Sequence, residues 1–105
     1  MRHLLFVLAL LPALAFGADP EFSLVIRDHR FEPTEVRVPA GKKFKLVIDN
    51  QDATPEEFES KELKREKVIA AKSKGSLFIG PLKPGKYPFV GEFHEKTAKG
   101  VIIAE

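Results

Sequence analysis

The segment DNQDATPEEFE (residues 49–59) carries Asp49, Asp52, Glu56, Glu57 and Glu59 without a single base, and further along GEFHEKTAKG (residues 91–100) sets His94 between Glu92 and Glu95. Carboxylates with one imidazole are donors for hard divalent and trivalent ions. The chain has no cysteine and its only methionine is Met1. Any ion held by the mature protein is therefore bound through nitrogen and oxygen. Anionic oxygens favour ferric over ferrous iron, because the extra positive charge gains more from each negative neighbour. Cu(II) is equally allowed and leads on intrinsic affinity. The competing reading is that the acids pair with Lys61, Lys64 or Lys96 on a solvated surface. His29, in RDHRFEP, reads as a surface residue at an early strand edge.

These residues need a scaffold. The opening MRHLLFVLALLPALAFG has a basic residue, an apolar run from Leu4 to Phe16 and small residues at its end, the pattern of a secretory signal over residues 1–17. Residues 18–105 then form one small domain, whose core draws on Phe22, Phe31, Phe44, Phe58, Phe78, Phe89 and Phe93. Apolar residues alternate with polar ones, and turn residues recur at short intervals, as in a small β-sandwich. FSLVIRD (22–28) and KFKLVIDN (43–50) alternate cleanly, with Phe44, Leu46 and Ile48 on one face and Lys43, Lys45 and Val47 on the other. Val36 and Val38 belong to a strand closed by a Pro39-Ala40-Gly41 turn. GSLFIGPL, GKYPFVGEF and KGVIIAE supply three more strands. SKELKREKVIAAKSKG is read as a loop with one helical turn over Glu62 to Glu66, followed by a strand from about Glu66. The formal charge is only +2, and the bases are scattered without aromatic interleaving, which argues against a nucleic-acid partner.

The order and spacing of FEP, VPAGKKFKLVIDN, TPEEF, PLKPGKYPFVG and KGVIIAE resemble a cupredoxin over the mature length. The resemblance implies an all-β, Greek-key cupredoxin-like sandwich. It also implies four ligand places. The first histidine of a cupredoxin falls at Glu56, the cysteine at Gly91, the second histidine at His94 and the axial methionine at Ala98. Alternation turns Glu56 and Phe58 inward and Glu57 and Glu59 outward, and leads to Gly91 through inward Tyr87 and Phe89. Gly91 is expected either to have positive φ or to leave room for a neighbouring side chain. Without a thiolate the blue-copper electron carrier is excluded, since the copper–thiolate bond defines that site.

TPEEFES, LKREKVI and GEFHEKTAKG together are similar to the small cupredoxin-like component of bacterial periplasmic ferrous-iron uptake systems. That resemblance implies a periplasmic protein working with a periplasmic iron-binding protein and an inner-membrane iron permease, helping to oxidise or transfer iron, with a ferroxidase role open. The expected metal ligands are Glu56, Glu57, Glu92, His94 and Glu95, and the expected ion is iron or copper. Glu56 and His94 hold ligand places; Glu57, Glu92 and Glu95 are read as ligands, as supports for them, or as an acidic rim. The alternatives are a copper-binding chaperone and a metal-free docking module.

Overall fold

A computed structural model describes residues 19–105; the signal assigned to residues 1–17 lies outside them. The described residues build nine strands in two sheets. The first sheet has the order β2-β1-β4-β7, from β1 (Glu21–Arg27), β2 (Arg30–Glu32), β4 (Phe44–Asn50) and β7 (Ser73–Ile79). The second has the order β3-β9-β8-β5-β6, from β3 (Glu35–Val38), β9 (Lys99–Ala104), β8 (Gly85–Gly91), β5 (Glu56–Ser60) and β6 (Arg65–Ile69). β1 runs parallel to β4 and β3 parallel to β9, while the other pairings are antiparallel. The expected all-β cupredoxin-like sandwich is the architecture observed.

The inner faces follow the alternation in the sequence. Phe44, Leu46 and Ile48 are fully buried on β4, and Leu24 and Ile26 meet them from β1. Phe31, Phe58 and Phe89 form an aromatic cluster with centroids 5.0 to 6.3 Å apart. Edge-to-face contact suits the ring quadrupoles. Each ring lies two residues along the chain from His29, Glu56 or Gly91, so the cluster forms the floor beneath that end of the sandwich.

Three expectations need correction. Phe78 and Phe93 are half exposed and do not join the core. Phe78 lies between Leu77 and Ile79, and in a strand only one of the two alternating sets can point inward. Residues 61–64 make a tight turn closed by the Lys64 N–H on the Lys61 carbonyl at 3.1 Å, not a helical turn. Lys64 has φ +56, a left-handed conformation that no helical turn contains. Finally, β2 is an additional short strand. It pairs Arg30 with Arg27, leaving Asp28 and His29 as a two-residue hairpin turn. Both have positive φ, +54 and +58, as a type I′ turn requires.

Candidate metal centre

Glu56 opens β5 and is 1% exposed. Its Oε1 accepts the N–H of Phe93 at 2.9 Å and of Glu57 at 3.0 Å. Its Oε2 lies 2.6 Å from Nδ1 of His94. With the carboxylate ionised, His94 donates from Nδ1 and keeps Nε2 free of this contact. A buried carboxylate with a partner on each oxygen meets the general requirement for burying charge.

The space Glu56 occupies exists because of Gly91. A Cβ built there would stand 2.7 Å from Glu56 Cδ, 2.9 Å from Glu56 Oε2 and 2.7 Å from the Ala98 Cβ. Gly91 has φ −90, so of its two expected reasons, positive φ is not the one. It leaves room for a neighbour's side chain, and that neighbour is the carboxylate. Ala98 is fully buried beside it. The loop after Gly91 is closed by the Gly91 N–H on the Ala98 carbonyl and the Ala98 N–H on the His94 carbonyl, both 2.9 Å, which fixes where His94 stands.

The strand entering the site is tethered from the other side. Asn50 is fully buried at the end of β4 and donates from Nδ2 to the carbonyls of Thr54, Ile69 and Ala70, at 3.0, 3.2 and 3.2 Å. Its Oδ1 accepts the Asp52 N–H at 3.0 Å. The loop delivering Glu56 is thereby tied to β4 and to the end of β6. Asp52 in turn accepts the N–H groups of Asp28 at 2.8 Å and His29 at 3.0 Å, pulling the β1–β2 turn against the loop. Burial works to raise the Asp52 pKa, but those two backbone hydrogen bonds and the charges of His29 and Lys72 together hold it below the ordinary aspartate value.

As a result His29 is not a remote surface residue. Its ring stacks on His94 with centroids 3.6 Å apart and planes 12° apart. His29, Glu56 and His94 each present a donor atom, all within 4.8 Å of one another. The missed signal was the two-residue spacing between FSLVIR and RFE. Read as a hairpin, it puts His29 at the same end of the sandwich as the loop after β4.

Glu57 and Glu92 form a separate group with Glu66, likewise within 4.8 Å, on the outer face of the second sheet. Desolvation first, then the charge and hydrogen bond of Glu57, raises the Glu92 pKa. Glu59 is raised as well, by desolvation and then by Glu92 and Glu66. Among the described residues no ion pair joins Lys61, Lys64 or Lys96 to these acids. Glu95 belongs to neither group and lines a groove of about 370 Å³ with Glu59, Lys61, Glu62, Pro88 and Glu92. Of the five residues expected as ligands, the fold brings Glu56 and His94 together, sets Glu57 and Glu92 apart from them, and leaves Glu95 on the groove.

The comparisons agree with this architecture. An uncharacterized protein of Rickettsia prowazekii, RP394, is 47% identical over 83 residues, 79% of this chain, and the match spans 66% of RP394. Auracyanin A, a blue copper protein of Chloroflexus aurantiacus, superposes with a TM-score of 0.71 at 10% identity, covering 84% of this chain and all of that one. The metal-binding domain of the Cu(I)-exporting P-type ATPase CopA of Streptococcus pneumoniae, solved with Cu(I), gives 0.72 at 13% identity, covering 81% of this chain and 84% of that one. At such identities the two solved structures speak to the fold alone. The cupredoxin-like domain family matches residues 2–104, nearly the whole sequence, and to that family this chain belongs.

Proposed function

We propose that this protein binds a divalent first-row metal ion through Glu56 and His94 and serves ferrous-iron oxidation or transfer for iron import in the periplasm. The observation that carries the reading is the Glu56–His94 pair, 2.6 Å apart, filling the space left by glycine at position 91. A blue-copper centre does not fit these residues, since the chain has no thiolate and a side chain at position 91 would collide with Glu56 and Ala98. A nitrogen- and oxygen-bound ion does fit where it would take the place of the Nδ1 proton, which is released to solvent, with His94 Nδ1 and Glu56 Oε2 as donors. Bound there, iron would be favoured in its ferric state by the anionic oxygen.

The residues of this chain do the holding. The Phe93 and Glu57 N–H groups fix Oε1, so Oε2 is the oxygen turned toward His94. Asn50 and the Gly91–Ala98 closure fix the two chain segments that carry the pair. The partners this reading takes, a periplasmic iron-binding protein and an inner-membrane iron permease, come from the sequence resemblance. Copper is the second reading, favoured by the second imidazole beside the pair. It applies to Cu(II), because Cu(I) prefers the soft sulfur donors this chain lacks.

The deciding experiment is metal uptake followed by oxygen consumption with Fe(II). A ferroxidase consumes oxygen over many turnovers, whereas a carrier binds stoichiometrically and stops. Failure to take up Fe(II) or Cu(II) would leave a docking module and refute the metal reading.

A further inference from the structure

A ring nitrogen binds a metal through the lone pair lying in its ring plane. Two rings stacked 3.6 Å apart and only 12° from parallel direct those lone pairs side by side, not toward a common point. His29 and His94 therefore cannot both bind one ion in the arrangement observed; one ring has to turn.

The two rings are held very differently. His94 is fixed through Nδ1 on Glu56, and its carbonyl accepts the N–H groups of Thr97 and Ala98. His29 is hydrogen-bonded only through its backbone: its N–H donates to Asp52, and its carbonyl accepts the Thr97 hydroxyl at 2.6 Å. Its ring Nδ1 is shielded from solvent yet has no hydrogen-bond partner, the nearest acidic oxygen being Asp52 Oδ2 at 3.4 Å. A buried polar atom without a partner is uncommon in a folded protein and calls for an explanation. The His29 side chain is also 42% exposed, so the ring has solvent to turn into.

We propose that His29 is a third metal ligand, which leaves its stack on His94 by side-chain rotation when an ion enters. With Glu56 and His94 it completes a set of two imidazoles and one carboxylate, a donor set that suits divalent first-row ions and leaves coordination positions open. The clamped backbone confines the movement to the two side-chain torsions, of which the terminal one is broad. The proposal rests on Glu56 and His94 being ligands and adds a second imidazole to them.

The test uses Cu(II) and Zn(II) as probes on the purified protein. His29→Asn is the main variant, because asparagine tolerates the φ of +58 at this turn; His29→Ala is the second. Pulsed EPR of the Cu(II) protein should detect two coordinated imidazoles, reduced to one in either variant, with affinity falling at least about tenfold, which corresponds to about 1.4 kcal/mol. Zn(II) should shift the His29 and His94 ring protons downfield in NMR as mutual ring shielding is lost. The proposal fails if the variants keep two imidazoles and full affinity while Glu56→Gln and His94→Ala lose them; the Glu56–His94 centre would then stand without His29. It fails equally if Zn(II) binds with the stack unchanged. Absence of any uptake by the parent protein would overturn both this inference and the centre beneath it.

Discussion

Glu56 and Glu57 are chain neighbours on β5, and the pleat of the strand sends them to opposite faces. Glu56 is buried and finds two backbone N–H groups and an imidazole. Glu57 faces outward, where Glu92 lies close and the charges of Glu66 and Glu59 add to the repulsion. The inward carboxylate has donors arranged around it; the outward group has acids arranged around one another. Local acid density is therefore a poor guide to a ligand site, and the arrangement of donors around a carboxylate is a better one.

The largest expected effect comes from deleting each acid in turn. Glu56→Ala leaves two inward N–H groups and His94 without their acceptor and should cost about 2–4 kcal/mol in chemical denaturation. Glu57→Ala should stay within about 0.5 kcal/mol. Equal losses would mean that the two environments are not as different as their contacts indicate.

Next comes the glycine that makes the difference possible. Gly91→Ala places a methyl group against Glu56 and Ala98 and should destabilise by about 1–3 kcal/mol through overpacking. In a Glu56→Ala background that cost should shrink, because one of the two colliding groups is gone. A double-mutant cycle reads the coupling directly; strictly additive losses would show that Gly91 does not serve Glu56.

The smallest effects are electrostatic and depend on pH. The Glu92 pKa is raised in the folded state, so its ionised form costs stability, and that cost is relieved as pH falls through the folded pKa. Glu92→Gln should therefore raise Tm at neutral pH and lose this advantage below about 4.5. Asp52 has the opposite sign. Its folded pKa lies below the unfolded value of 3.8, so its stabilisation is complete above that value and disappears as pH falls through the folded pKa. Asp52→Asn should lower Tm at neutral pH and have little effect in stronger acid. Thermal melts across this pH range check both signs.

Much of this comparison could be read from residue order. Period-2 alternation turns Glu56 and Phe58 inward, as it does Phe89 and Gly91, and the absence of cysteine by itself excludes the thiolate centre. The hairpin spacing brings His29 to this end, but its stack on His94 could not be read that way. It depends on two left-handed residues in a hairpin tip and on Asp52, 23 positions away in sequence, holding that tip against another loop. The outward side of Phe78 is hidden for a different reason: SLFI is apolar for three consecutive residues, and such a run does not say which parity faces the core. Alternation separates Glu57 from Glu56, but its grouping with Glu66 and Glu92 needed the pairing of β5 with β6 and β8, which composition does not contain.

Crystals soaked with Cu(II) and measured for anomalous scattering would test the centre most directly. The strong anomalous peak is expected beside Glu56 Oε2 and His94, with the outer group of Glu57, Glu66 and Glu92 weak or empty. A dominant peak on that outer group, with the Glu56–His94 hydrogen bond intact, would contradict it.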